Sequence, residues 1–392
     1  MTDTAHRTRS ISALFAGVGL SATGFIALIT VTPLAAEDLL GDARWSGLPS
    51  SLAIMGTAFG TSWLAAVMAR HGRRRGLILG YFTAAIAAVF AALGVGFSIF
   101  PLLLVAIFTL GAGYGASRLS RYAAADLYEP EHHARAIGWV VWAGTIGSVL
   151  GPLLLERSQE ASAALSLPEV MGPFLLASLA MGAAGGVIFV AFPEDGQGRA
   201  PAKSSRLPLT HLRHANAQIA LVALVIGQVV MVLIMTMTPI HVRHEGGGLQ
   251  AIGLIIAAHT FGMYALSPFS GYLSDRVGRK PVIVIAGVFL IASGLVSARA
   301  GNDQTLLALG LFLLGWGWNL GFVSASALLT EAVPYDDRMR LQGFADSVVW
   351  ASAATAGVSS GLLLHSVGYA ALCYLGALVA ILPAALIALR RA

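Results

Sequence analysis

The sequence predicts an all-α membrane protein, with twelve transmembrane helices in two pseudo-symmetric six-helix bundles. Three observations predict it. Only 11% of the 392 residues are charged and 57% are hydrophobic, whereas a soluble domain carries about 25% charged residues. The apolar residues gather into twelve runs of the length a bilayer core requires, about 20 residues per helix. Motifs in the first half of the chain also return in the second. Together these exclude a soluble enzyme, a disordered chain and a disulfide scaffold. One cysteine, Cys373, allows neither an internal disulfide nor a cysteine metal cage.

The runs are 11–36, 46–69, 76–97, 101–127, 136–158, 169–193, 216–241, 250–274, 281–300, 305–331, 341–366 and 368–389. The first follows Arg7 and Arg9 and stops at Glu37 and Asp38. It is too long for the core of a cleavable signal peptide, and the apolar pattern continues beyond it. Arg70 and Arg73 to Arg75 close the second run and open the third. The fourth carries Arg118, Arg121 and Asp126 in its second half. Arg135 precedes the fifth and Arg157 stands near its end. The sixth leads into the longest polar stretch, 194–215, rich in Gly, Pro, Ser and basic residues. Arg243 follows the seventh, and Asp275, Arg276, Arg279 and Lys280 separate the eighth from the ninth. Arg299 ends the ninth, and Asn319 sits mid-way along the tenth, just after Trp316 and Trp318. Arg338 and Arg340 precede the eleventh. Only Ser366, Val367 and Gly368 divide it from the last, which ends at Arg390 and Arg391.

Alternate intervals hold the basic residues. With the N-terminus inside, 18 of the 24 Lys and Arg fall in inside segments and two, Arg44 and Arg243, outside. The positive-inside rule then places both termini in the cytoplasm of a multi-pass cell-membrane protein. The basic charge is accounted for by loops, so nucleic acid is not an expected partner.

The stretch 194–215 divides an N-terminal bundle, 1–193, from a C-terminal bundle, 216–392. Ala65-x3-Ala69-Arg70-x-Gly72-Arg73-Arg74 is echoed 206 positions later by Gly271-x3-Asp275-Arg276-x-Gly278-Arg279-Lys280. Arg135-x2-Gly138 is echoed 205 positions later by Arg340-x2-Gly343. Parallel repeats of this kind imply a binding cavity at their junction, open alternately to each side.

On these loop residues the chain resembles the major facilitator superfamily over essentially its whole length. The resemblance implies a secondary transporter whose loop locks the cytoplasmic side through its acidic residue, Asp275, with Arg276 and Arg279 beside it. The N-terminal copy has Ala69 at the acidic position, so that lock is not expected there, and Arg73 to Arg75 are read equally well as membrane anchors. The fifth span, Gly138-x8-Gly147-x3-Gly151-Pro152, resembles the superfamily's antiporter motif. Gly147 and Gly151 share a helix face that permits close approach, and Pro152 favours a kink.

Ionisable and soft polar groups at depth are candidate functional residues. Met231 and Met235 in the seventh span, and His259 and Met263 in the eighth, are i, i+4 pairs on single helix faces. Thioether and imidazole together suit Cu(I). The pairs resemble those of the CcoA-like copper importers, which implies copper uptake. Arg118 and Arg121 bind an anion or lock an inner gate. For Arg121 the expected posture is snorkelling toward the cytoplasm. Asp346, with Gln342 nearby, is a candidate proton carrier, and pairing with Arg340 or Arg338 is the expected alternative. Asn319 lines the cavity or bonds between helices.

No P-loop, HExxH, CxxC or nucleophile–base set is present, so neither an enzyme nor a resident cofactor is expected. The expected activity is monomeric transport of a small solute, with copper uptake as the specific reading. Proton-coupled efflux of a small organic molecule is the alternative, and a non-transporting sensor is the remaining class.

Overall fold

The computed structural model describes residues 2–40, 47–193 and 212–390, and every regular element among them is helical. The linker 194–215 lies outside the described residues up to 211, as do Arg44, Arg199, Lys203, Arg206 and Arg391 of the charge pattern. The α-helices in chain order are α1 Thr2–Leu40, α2 Gly47–His71, α3 Arg73–Gly96, α4 Phe100–Ala125, α5 His133–Trp142, α6 Gly144–Leu153, α7 Leu155–Ala164 and α8 Gly172–Ala191. They continue with α9 Ala215–Met235, α10 Thr238–His244, α11 Leu249–Tyr264, α12 Ser267–Val277, α13 Arg279–Ala300, α14 Gln304–Glu331, α15 Tyr335–Val379 and α16 Leu382–Leu389.

All twelve apolar runs are helical, so the protein is a multi-pass membrane protein. The reason is physical: hydrocarbon offers no hydrogen-bond partner, so each crossing must satisfy its own backbone. Several spans are built from two helices. The seventh breaks between α9 and α10 and the eighth between α11 and α12, with a proline in the first turn of the second helix each time. A proline there lacks only a donor that a helix start leaves unused. The run Tyr335–Leu389 is 55 residues long, about 80 Å of continuous helix at 1.5 Å per residue. That far exceeds a hydrocarbon core of about 30 Å. Gly368, at φ +80°, divides it where the sequence placed the junction of the last two spans.

The fifth span differs from expectation. Its break lies at Ala143, between α5 and α6, not at Pro152, which stands one residue from the end of α6. The span also stops at Leu153 instead of 158. The polar segment that follows, LERSQEASAA, forms a helix of its own, α7.

The helices form two compact units. One comprises Met1–Leu127, Ala143–Arg206 and Tyr335–Trp350; the other comprises Tyr128–Trp142, Leu207–Pro334 and Ala351–Ala392. The start of α15 therefore packs with the first unit and α5 with the second, across the boundary that the repeat suggests. The second echo in the sequence explains how. In the second unit, a Cβ on Gly138 would strike the backbone of Ser267 and stand 3.5 Å from Gly271 Cα. In the first, a Cβ on Gly343 would strike Ala65 Cβ and stand 2.8 Å from the Thr61 carbonyl. Both crossings require a bare α-carbon. Gly147 and Gly151 serve the same end in the first unit, where they face Ala22, Thr23 and Ile26 of α1.

Candidate functional site

In the second unit, Arg279 and Asp275 close one end of the bundle. Gly278 holds φ +103° between α12 and α13, a conformation costly for any residue with a side chain. It sets Arg279 at the first position of α13, where the guanidinium is 9% exposed. Arg279 Nη1 donates to Asp275 Oδ1 at 2.6 Å, and its Nε and Nη2 donate to Glu331 Oε1 at 3.0 and 2.9 Å. Its Nη2 also donates to the Pro130 carbonyl. Asp275 then accepts from the backbone N–H groups of Ala134 and Arg135 at 3.1 and 3.0 Å. These are donors that the start of α5 leaves without helical partners, so the carboxylate caps that helix. Arg276 stands apart from this cluster: it is exposed and donates to the Tyr272 hydroxyl at 3.0 Å.

The first unit repeats the arrangement with different partners. Gly72 holds φ +90°, and Arg73 follows it at the start of α3. Arg73 is 2% exposed, so reading it as a membrane anchor is corrected. Its Nε and Nη2 donate to Asp126 Oδ2 at 3.0 and 2.8 Å, and Nη2 donates to Gln342 Oε1 at 2.6 Å. Asp126 also receives Arg338 at 3.5 Å. Asp126 and Glu331 are 205 positions apart, as their arginines are 206 apart. The first unit is therefore clamped without an acidic residue at Ala69. Ser347 adds contacts to Thr61 and Ser62 at 3.0 and 2.7 Å.

Arg121 does not snorkel. It is 3% exposed, and its Nη2 donates to Asp346 Oδ1 at 2.5 Å and to the Tyr122 hydroxyl at 2.9 Å. Tyr122 donates to the same carboxylate oxygen at 3.2 Å. The expected pairing of Asp346 with Arg338 or Arg340 is corrected accordingly. Arg338 goes to Asp126, and Arg121 lies near enough to satisfy the carboxylate in the interior. Asp346 Oδ2 is buried with no hydrogen-bond partner.

Arg118, one turn earlier on α4, has different surroundings. Its guanidinium carbon lies 4.7 Å from the Trp350 ring centre and 5.1 Å from that of Tyr114. Tyr114 stacks on Phe25 with centroids 3.9 Å apart and planes 2° from parallel. A cation flanked by aromatic faces is stabilised by their quadrupoles. Three rings and one half-buried positive charge thus meet in the first unit.

In the second unit, His259 is 1% exposed. Its Nδ1 lies 3.0 Å from the Leu311 carbonyl, which can only accept, so Nδ1 carries the proton. Its Nε2 is buried with no hydrogen-bond partner. Met231 and Met263 belong to one apolar cluster, and half-buried Met235 packs against it. The helices that carry the two pairs, α9 and α11, both pack along α14 and touch each other little. The structure therefore places each i, i+4 pair on its own helix, with little direct contact between the two helices. Asn319 bonds between helices: its Nδ2 donates to the Met263 carbonyl at 2.7 Å and to Ser267 Oγ at 2.6 Å.

The family model described as Major Facilitator Superfamily matches the chain at residues 14–251 and again at 219–392. This chain belongs to the major facilitator superfamily. It is a transporter by family, not an enzyme. Among superfamily relatives it is 33% identical over 385 residues to the uncharacterized MFS-type transporter YdeG of Bacillus subtilis (strain 168), covering 95% of this chain and 88% of that one. It is 31% identical over 375 residues to the riboflavin transporter RfnT of Brucella anthropi, covering 94% and 92%. Its fold is similar to that of the proton:xylose symporter XylE bound to 6-bromo-6-deoxy-D-glucose. There the TM-score is 0.81 at 14% identity, covering 98% of this chain and 96% of that one.

In this superfamily member, sequence reasoning missed Arg73 as a buried group, Glu331, Tyr122, and the aromatic set Phe25, Tyr114 and Trp350. One signal was present for Glu331. It sits one repeat length after Asp126, so the pairing of either predicts the other.

Proposed function

We propose that the chain moves a small, planar organic anion across the cell membrane by alternating access of its two bundles, 1–193 and 216–392, with both termini in the cytoplasm. The observation that carries this reading is Arg118 among Tyr114, Trp350 and Phe25. A guanidinium offers paired donors that match a carboxylate or phosphate, and aromatic faces stack a flat ring. Arg121, three residues on, is paired with Asp346, whereas Arg118 lies against the aromatic faces. The likeness to a riboflavin transporter supports a flat-ringed substrate. Coupling to protons through Asp346 is consistent with its burial and its unbonded Oδ2. The close packing of Gly147 and Gly151 on α1 is compatible with the exchange that the antiporter motif implies.

The test is thermal unfolding of purified protein with riboflavin, flavin mononucleotide, aromatic carboxylates and Cu(I). Specific stabilisation reports binding to the folded state. Planar anions are expected to stabilise the wild type, and Arg118→Gln is expected to remove the effect at tenfold higher ligand. Equal stabilisation of both proteins would overturn the reading.

Copper uptake is the second reading, and one observation favours it. A His whose Nδ1 proton is held by a backbone carbonyl presents Nε2 as a bare ligand, the usual arrangement behind a metal-bound imidazole. His259 has that arrangement, with Met263 one turn away. The limited contact between α9 and α11 weighs against a site that also needs Met231 and Met235. Copper accumulation in cells expressing His259→Ala and Met235→Ala distinguishes the readings: loss in both supports copper.

A further inference from the structure

A cavity of about 230 Å³ opens in the first unit where α1 begins, α3 begins and α8 ends. It is lined by His6, Arg9, Ser10, Arg74 and the segment from Val190 to Pro193. Two guanidiniums reach it from different helices, and no acidic residue among the described residues lines it. Each arginine is anchored to the end of α8. Arg9 Nη2 donates to the Val190 carbonyl at 2.6 Å, and Arg74 donates to the Phe189 carbonyl while lying 5.2 Å over the Phe189 ring. These anchors fix the positive charges at the rim and leave a space several times the volume of a water molecule, about 30 Å³. Arg73, the neighbour of Arg74, turns inward to Asp126, so the two adjacent arginines have different tasks.

The surface beside the cavity is apolar. Phe189 and Val190 on α8 are 58% and 70% exposed. On α3, which packs against α8, Leu79, Phe82 and Ile86 are 40%, 40% and 59% exposed. They are spaced by three and four residues and so form one face. A basic pocket at the mouth of an apolar groove fits an amphiphile with an anionic head.

We infer that this cavity binds the phosphate of an anionic phospholipid, whose acyl chains lie along the exposed faces of α3 and α8. Basic pockets among transmembrane helices at a membrane face recognise such headgroups. The phosphate chemistry is shared with soluble phosphate esters, and the apolar face beside the pocket selects the lipid. This inference is independent of the transported solute.

The test is native mass spectrometry of the delipidated full chain in detergent, titrated with phosphatidylglycerol, phosphatidylcholine and, separately, glycerol phosphate. Phosphatidylglycerol is expected to bind at least tenfold more tightly than phosphatidylcholine. Glycerol phosphate at a hundredfold excess is expected not to displace it. The double variant R9Q/R74Q is expected to weaken phosphatidylglycerol at least tenfold. Arg75→Gln, which changes an exposed arginine in the same first turn of α3 that does not line the cavity, is expected to change it less than twofold. Equal affinity for the two lipids, displacement by glycerol phosphate, or an equal loss in Arg75→Gln would each overturn the inference. The lipid comparison uses wild-type protein, so the test stands even if the double variant does not fold.

Discussion

Arg121 and Asp346, 225 positions apart in sequence, meet at 2.5 Å with side chains 4% and 2% exposed. A buried pair of this kind contributes little net stability over an apolar pair, but removing one partner strands a charge, at a cost of about 3–5 kcal/mol. Arg121→Leu is therefore expected to lower the thermal midpoint of purified protein sharply. Arg121→Leu combined with Asp346→Leu is expected to recover most of the loss. A double-mutant cycle from thermal or denaturant unfolding measures this. Additive losses would show that the pair is not coupled.

Asp346 is also the proposed coupling group. Asp346→Asn is expected to abolish accumulation of solute against a gradient in proteoliposomes while solute exchange between compartments continues. Loss of both activities would assign Asp346 to folding or solute binding instead.

Asp275 caps α5 through two backbone N–H groups. Loss of a cap costs about 0.5–2 kcal/mol, and here Arg279 also loses a partner. Asp275→Ala is expected to speed hydrogen exchange at the Ala134 and Arg135 amides selectively. Exchange at the start of α15, held in the other unit, is expected to stay unchanged.

Gly147 packs so tightly on Ala22 and Thr23 that a larger residue must push α1 and α6 apart. Gly147→Val is expected to destabilise by about 1–3 kcal/mol and to lower the yield of monodisperse protein in size-exclusion chromatography. Gly186→Ala is the control, because a Cβ there meets nothing within 4 Å. It is expected to match the wild type.

The spans and their junctions were legible because they answer to local constraints. Hydrocarbon demands length and apolarity, and Gly368 supplies a backbone that other residues resist; the breaks at Pro239 and Pro268 inside the seventh and eighth runs were not read. The close approach at Gly147 and Gly151 was legible for the same reason. The charge pairings were not. Arg73 reaches across 53 positions to Asp126 and 269 to Gln342, and hydropathy does not distinguish an arginine that turns inward from one that reaches the headgroups. Arg121 shows this directly, since its neighbours on α4 predict snorkelling and only the folded position of Asp346 reverses it. The polar helix α7 was hidden because its sequence lacks both the apolar run of a span and the Gly and Pro of a loop.

The exchange of segments between the compact units has a consequence for biosynthesis. The first unit includes Tyr335–Trp350, so it remains unfinished long after residue 206 has left the ribosome. At about 5–20 residues per second, the missing piece emerges roughly seven to thirty seconds later. Through that interval Arg73 and Arg121 lack Gln342 and Asp346. The half-made protein therefore holds buried charges in need of a caretaker, and insertion factors have most to do at that moment. A gene cut at the central linker would yield fragments that mature only when made together.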